Sequence, residues 1–405
     1  MDTEPLPFAG LRVIDCASFI AAPAAATILG DFGADIIKVE PLEGDPYREL
    51  FRPGGFGPQG RNYGWELDSR NKRSLAVDLK SPEGREVLYR LCADADVFIT
   101  NFPLSVRRRL KIDHEAIMAL NPRLIYASFT AYGETGAEAE KTGFDSTAYW
   151  SRSGLMDLIK PDHTAAPARS VAGMGDHPSA MTLFAAITTA LYRRERTGRG
   201  GRVTSSLLAN GLWANACLVQ ARLFDVPLPP RAPREQGPSP MTNVYQCRDG
   251  RWLHLVMLNE ARQFLPLMQT LGCPEAAEDP RFATPTARRS HNVDLIAILD
   301  RQFALRDLAD WRTRLDAAGI TFSDVSTLDD IPNDPQMREA GALVPFAQAP
   351  GLTISSPFAV DGSSKVGPNL APALGEHTGT LLREAGYDEA RIAELRHRGV
   401  VGGTG

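Results

Sequence analysis

From Leu11 to Gly133 the chain alternates short apolar runs with helix-forming stretches, and this alternation limits the fold more than any other feature. "LRVIDCAS" reads as a buried strand, "AAPAAATILGDFGA" as an Ala-rich helix and "DIIKVE" as a second strand. Then follow "NKRSLAVDL" as strand, "SPEGREVLYRLCADA" as a helix opening on Ser-Pro, "DVFITNF" as strand and "RLIYASFTAYG" as strand. Near-continuous apolar strands separated by helices require a parallel sheet covered on both faces. The first strand-to-helix turn reads "SFIAAPAA" where a dinucleotide fold carries G-x-G-x-x-G. Without that phosphate-cradling turn a nicotinamide or flavin dehydrogenase is excluded.

The remaining 270 or so residues divide by composition, at about the length expected for one or two further units. The Pro-rich stretch "DVPLPPRAPREQGPSP" marks a boundary or a crossing linker. Beyond it "NVYQCRDGRWLHLVML" reads as a hairpin turning at Asp249-Gly250, followed by helices over residues 259–318. The tail reads as a strand, "GLTISSPFAV", and two short helices broken at Gly386. The expected division is a large domain over 1–225, a small α+β domain over 226–335, and a segment over 336–405 returning to the large domain.

Of the 405 residues, 43% are hydrophobic and 23% charged, which supports a sizeable soluble core, and the net charge of -5 offers no field attractive to nucleic acid. No apolar run approaches the roughly 18 residues a spanning helix needs. The opening "MDTEPLPFAG" has neither the basic nor the apolar region of a signal peptide. The expectation is a cytoplasmic protein with no membrane partner. Five widely spaced cysteines without a C-x-x-C pair read as free thiols, and seven dispersed histidines give no support to a metal site.

The stretch "GMGDHPSAMTLFAAITTALYRRERTGRG" places Asp176 between Gly175 and His177, ahead of Pro178 and a long apolar helix. Asp176 there has two compatible readings. As part of a helix start, its charge complements the positive helix end. As a carboxylate held after glycines, it has open space in front of it, as a nucleophile needs.

Four segments occur in a recognisable order: "VIDCASFIAAPAAATILGDFGADIIKVEPLEGDP", "NKRSLAVDLKSPEGREVLYRLCADADVFITNF", "NPRLIYASFTAYGETG" and "GDHPSAMTLFAAITTALYRRERTGRGGRV". Together they resemble the class III CoA-transferase family, also called CaiB/BaiF. The hairpin "VYQCRDGRWLHL" and the tail "LGEHTGTLLREAGY" extend the resemblance over nearly the whole chain. It implies an α/β fold with a Rossmann-like large domain built from both chain ends, a smaller α+β domain, and two subunits interlocked as a homodimer. It implies acyl-CoA:carboxylate CoA-transfer, with a CoA thioester as substrate, bound between the large and small domains, and no permanent cofactor or metal. The family's nucleophilic aspartate lies in the Gly-Asp step that here is Gly175-Asp176, which weights Asp176 toward the nucleophile. Backbone N–H groups near Gly173, Gly175 and His177 are the nearest oxyanion donors.

By motif, the CoA contacts implied are Ile20 and Ala21 after the first strand, Val77 to Lys80 in "VDLK", Asn101 and Phe102 in "NF", and Arg109 in "VRRRL". Each also has a plainer reading: Val77 as core, Lys80 and Arg109 as solvated charges, Asn101 as a turn residue. The sequence departs from the family where Pro41 replaces an arginine after the second strand and "PLS" replaces a Pro-Gly turn after Asn101-Phe102. Racemisation of 2-methylacyl-CoA is the alternative within the family, and it needs a histidine where "GFDST" has Phe144 before Asp145. Phenylalanine cannot carry a proton, so Phe144 and Asp145 are read as acyl-pocket residues. A CoA-binding protein without catalysis is the alternative from another class. Arg152 and Arg234 are the cations available to an acceptor carboxylate, with a solvated surface role as their plainer reading, and succinyl-CoA or acetyl-CoA is the donor the family suggests.

Overall fold

The computed structural model describes residues 5–50 and 62–403. They form two compact units: Met1–Met156 with Arg169–Gln220 and Pro335–Gly405, and Asp157–Ala168 with Ala221–Asp334. Among the described residues no helix is long and apolar enough to cross a membrane.

The larger unit is built on six parallel strands: β1 (Arg12–Asp15), β2 (Asp35–Glu40), β3 (Arg73–Ala76), β4 (Val97–Thr100), β5 (Ile125–Thr130) and β6 (Gly201–Ser206). They lie in the order β3-β2-β1-β4-β5-β6. This is a doubly wound sheet whose order reverses between β1 and β4, and a crevice opens beyond the strand ends at such a reversal. The inner strands are buried along nearly their whole length, as the unbroken apolar runs require. β6 is the exception. It lies at the sheet edge with alternating half-exposed residues, and its Thr and Ser side chains hide it from an apolar-run reading.

One face is covered by the Ala21–Asp31 helix, every residue of which is buried, packed with the Asp176–Thr197 helix. Alanine side chains let these backbones approach closely. The other face is covered by Pro82–Ala93 and by the two C-terminal helices, through Leu381, Leu382, Ile392 and Leu395. The tail also joins β3: His377 N donates to Ser74 O, and Gly402 N to Ala76 O. Only Leu352–Ile354 of the expected tail strand forms, paired antiparallel with Leu343–Pro345.

The smaller unit carries the hairpin Thr242–Gln246 and Trp252–Val256, widened by Phe322–Asp324 into an antiparallel three-stranded sheet. Its core gathers Tyr245, Leu253, Leu267, Phe303 and Trp311 under the helices of residues 260–317. Arg234 is used within this unit. Its guanidinium grips Asp300 through two bonds of 2.9 Å and donates to Val244 O, which corrects the expectation that it was available to an acceptor acid.

The larger unit buries charge where β1 and β2 run side by side. Lys72 Nζ donates to Asp15 Oδ2 at 2.9 Å and to Pro23 O at 2.8 Å; Lys38 Nζ donates to Asp45 Oδ2 at 2.9 Å and lies 3.9 Å from Asp15 Oδ1. All four side chains are almost wholly buried. Removing one partner strands the others in the core. Asp15→Ala is therefore expected to lower the unfolding free energy by about 3–5 kcal/mol, measured by urea denaturation. Asp35→Ala, which breaks a rim pair with Arg73, serves as the comparison at about 1 kcal/mol or less. Equal losses would show that burial adds nothing to the network.

Candidate active site

The turn after β1 has to leave the sheet sharply, and it does so with Phe19 in the left-handed region at φ 64°. Such a conformation in an aromatic residue is sustained only where surrounding structure fixes it. Here Asp45 Oδ1 accepts from Phe19 N at 3.3 Å and from Tyr47 N at 2.9 Å. Across the strand reversal, Asn101 closes the turn from the β4 side. Its Oδ1 accepts from Ser18 N at 2.8 Å and its Nδ2 donates to Ser18 O at 2.7 Å. The amide of Asn101 thus joins the ends of β1 and β4.

The Asp176–Thr197 helix packs against the Ala21–Asp31 helix that follows this turn. Gly175 is its cap residue and has no side chain to offer, so Asp176 stands at the first helical position. Gly175 is required by packing, because a Cβ there would fall 2.6 Å from the Tyr149 ring. Gly173 is required by backbone, with φ +81°, and a Cβ there would press on the His177 ring at 3.2 Å and lie 3.7 Å from Ile20. The Gly175 N–H points to Asp145 Oδ2 at 3.4 Å, and the His177 N–H donates to Gly173 O at 3.1 Å.

Asp176 is half-buried, and its carboxylate has no hydrogen-bond or ion-pair partner among the described residues. Burial first, and then the neighbouring Asp145 charge, push its pKa up to about 7, against the opposing charge of His177. The adjacent His177 is fully partnered. Its Nε2 lies 3.0 Å from Asp68 Oδ1 and its Nδ1 3.1 Å from Gly173 O. Asp68 in turn accepts the Tyr47 O–H at 2.8 Å on its other oxygen. Burial works against a charged imidazole, but the His177 side chain is 45% exposed, so the Asp68 hydrogen bond and charge outweigh it, and the His177 pKa stands above 6.5.

The structure brings Ile20, Phe144, Asp145, Gly173, Gly175 and Asp176 into one neighbourhood. Phe144 is 51% exposed and meets Phe19 edge to face at 5.7 Å, so it forms a wall and not core. Ile20 and Ala21 open the Ala21–Asp31 helix and are buried. Val77 is buried two strands away, beyond the end of β3, where it bridges Val401. Lys80 beyond it is exposed. Phe102 is half-buried at the end of β4. In the arginine run, Arg109 is exposed on the last turn of its helix. Arg107 turns inward to bind the Phe102 and Phe129 carbonyls and Ser128. Arg152 is exposed and pairs with Glu138 at 3.4 Å. Ile20, Val77 to Lys80, Asn101 and Phe102 all follow the C-terminal ends of parallel strands, along one edge of the sheet.

Residues that sequence reasoning missed are Asp68, Asp45, Lys38 and Tyr47. Lys38 carried a signal, a lysine inside the apolar run "DIIKVE", which has to be paired if buried. Asp45 carried a weaker one, Asp before Pro at a helical turn. Asp68 carried none.

Residues 8–378 match the sequence profile of CoA-transferase family III. The chain belongs to that family. It is 32% identical to the (R)-2-hydroxy-4-methylpentanoate CoA-transferase of Clostridioides difficile, over 97% of this chain and 98% of the relative. It is 29% identical to the cinnamoyl-CoA:phenyllactate CoA-transferase of Clostridium sporogenes, over 98% and 97%. A crystal structure of a CaiB/BaiF family protein from Brucella suis superposes with a TM-score of 0.85 at 30% identity, covering 94% of this chain and all of the other. The protein is therefore a CoA-transferase, an enzyme of a family whose substrates are CoA thioesters.

The raised Asp176 pKa has a consequence for this CoA-transferase that needs no substrate. A carboxyl whose folded pKa stands above its unfolded value favours the fold when protonated. That contribution is complete below about pH 4 and is lost as pH rises through about 7. Asp176→Asn, which cannot ionise, is expected to match wild type in thermal stability at pH 4. At pH 8 it is expected to exceed wild type by on the order of 1–3 kcal/mol. A constant difference across that range would place Asp176 in ordinary solvent.

Proposed function

We propose that the enzyme moves CoA from an acyl-CoA donor to a carboxylic acid acceptor through a covalent intermediate on Asp176. The observation that carries this reading is the Asp176 carboxylate itself, half-buried at a helix start and without a hydrogen-bond or ion-pair partner among the described residues. Exchange of CoA between acids is nearly thermoneutral so long as the thioester is never lost to water, and a carboxylate nucleophile keeps acyl group and thiol activated in turn.

An Asp176 oxygen attacks the donor thioester carbonyl, the C–S bond breaks, and CoA thiolate leaves a mixed anhydride. The thiolate attacks the aspartyl carbonyl and releases the donor acid as its carboxylate, leaving aspartyl-CoA thioester. The acceptor carboxylate attacks that thioester and expels the thiolate, giving a second anhydride. The thiolate then attacks the acceptor carbonyl and frees Asp176. No net proton or electron is exchanged.

The acceptor is read as an acid with an apolar side chain, of the 2-hydroxy type for which the two named relatives are called. Phe19 and Phe144 support an apolar acyl wall. The arginines first considered for a second carboxylate are paired elsewhere, Arg152 with Glu138 and Arg234 with Asp300. The residues proposed to hold CoA are Ile20, Ala21, Val77, Lys80, Asn101, Phe102 and Arg109. Asn101 acts through the Ser18 clamp, and Lys80 and Arg109 are free to reach phosphate. The working form is proposed to be an interlocked homodimer, which the exposed Leu212, Leu218 and Trp213, the last 80% exposed, support as a covered surface.

Asp176→Asn is expected to abolish exchange by several orders of magnitude while CoA still binds. Wild type incubated with donor is expected to carry a hydroxylamine-labile adduct on the peptide containing Asp176, absent from the variant. Near-normal exchange by freshly purified variant, checked for deamidation, would require another nucleophile. In an acceptor screen, 2-hydroxy-4-methylpentanoate and phenyllactate are expected to outperform glutarate, and a preference for glutarate would overturn the acceptor assignment. Light scattering is expected to give a dimer at low micromolar concentration; an active monomer would remove the interlocked arrangement.

A further inference from the structure

We propose that His177 is held as an imidazolium by Asp68 and the Gly173 carbonyl, and that it is a positioning cation that keeps the adjacent Asp176 ionised for attack. The proposal rests on Asp176 being the nucleophile and names a device that the sequence motif does not contain.

The protonation state follows from the partners. Gly173 O is a carbonyl and can only accept, so Nδ1, 3.1 Å away, has to carry a proton. Nε2 faces Asp68 Oδ1 at 3.0 Å, and the other oxygen of Asp68 already accepts the Tyr47 O–H. Burial and the Asp68 charge hold the Tyr47 phenol in its protonated, donating form. A carboxylate oxygen offers lone pairs and no proton, so Nε2 donates as well. With both ring nitrogens donating, the ring is an imidazolium with no lone pair left. It can neither accept a proton from substrate nor act as a general base, and its remaining influence is charge.

The charge is also fixed in place. Gly173 has φ +81°, and a Cβ there would sit 3.2 Å from Nδ1 and Cε1, so only glycine lets the ring lie against this loop. Asp68 comes from the Tyr63–Ser69 helix, 109 positions away in sequence, and its backbone carbonyl is itself bound by the Thr27 hydroxyl. Three further groups face the pair. Asp145 and Tyr149 come from the Asp145–Ser151 turn, whose Tyr149 ring packs on Gly175, and Tyr47 lies behind Asp68. Asp145 and Asp68 both disfavour a charge on Asp176, and among the described residues His177 is the cation that opposes them. An attacking carboxylate needs that opposition at neutral pH.

The test compares His177→Gln, Asp68→Asn and wild type over pH 5.5 to 9. In His177→Gln the acid limb of kcat/KM is expected to move up by about one unit or more. That is a loss of about tenfold at the lowest pH, converging toward wild type at pH 9. A ring needed only for folding would lower the whole profile uniformly, and an unmoved acid limb with folded protein overturns the proposal. In parallel, imidazole nitrogen NMR of wild type is expected to find both His177 nitrogens protonated at pH 7, and Asp68→Asn is expected to bring the ring to neutrality at that pH. An unprotonated ring nitrogen in wild type at pH 7 also overturns it, without reference to activity. Retention of exchange by Asp176→Asn would sink the nucleophile reading instead, and the NMR result would still stand or fall on its own.

Discussion

The turn after β1 depends on four charges buried in the larger unit. Asp15 ends β1, Lys38 lies beside it in β2, and Lys72 and Asp45 complete the group from the segments before β3 and after β2. Isolated charges could not survive there, so each fixes the position of the next. Lys72 ties the sheet to the Pro23 carbonyl in the first turn of the Ala21–Asp31 helix, and Lys38 also donates to Ala17 O in the turn that carries Phe19. Asp45 holds the backbone of that same turn and of Tyr47, Tyr47 donates to Asp68, and Asp68 binds His177. A continuous line of charged and hydrogen-bonded groups thus runs from the middle of the sheet to the residue beside Asp176. Buried ion pairs often contribute little net stability compared with apolar packing. Here the geometry of the β1 turn is what they supply, since apolar side chains could not hold Phe19 at positive φ by hydrogen bonding to its amide.

How much of this was legible in the sequence depended on whether the signal was local. The inner strands were legible because burial on both faces demands unbroken apolar runs, and the helix start at Asp176 because glycines and Pro178 punctuate it. β6 was not, because an edge strand needs only partial burial, and "GRVTSS" carries no unbroken apolar run. The Gly175-Asp176 step was legible as a candidate, but what surrounds it was not. Asp68 meets His177 only because the Tyr63–Ser69 helix folds against the long helix start, and no spacing rule spans that separation. The run Arg107-Arg108-Arg109 illustrates the same limit. Sequence alone offers three equivalent cations, and helical phase sends the first into the ends of β4 and β5 and leaves the third at the surface.

The chemistry of the site is a balance between two opposed requirements. A carboxylate nucleophile gains reactivity when water is removed from it, because its charge is then less well solvated. The same removal favours protonation, which destroys the nucleophile. Burial and the Asp145 and Asp68 carboxylates push Asp176 toward the protonated form, and an unscreened site of this kind would be inactive near neutral pH. Full neutralisation by a direct ion pair would solve the second problem and spoil the first, since an arginine fork on both oxygens would occupy the lone pairs that must attack. The arrangement around Asp176 avoids both outcomes. Among the described residues no group binds its oxygens, and in the proposed reading the opposing cation is the neighbouring side chain, whose own N–H groups are spent on Asp68 and Gly173. In the proposed reading charge reaches Asp176 through space while its oxygens stay open, because the partner that holds His177 comes from a different helix.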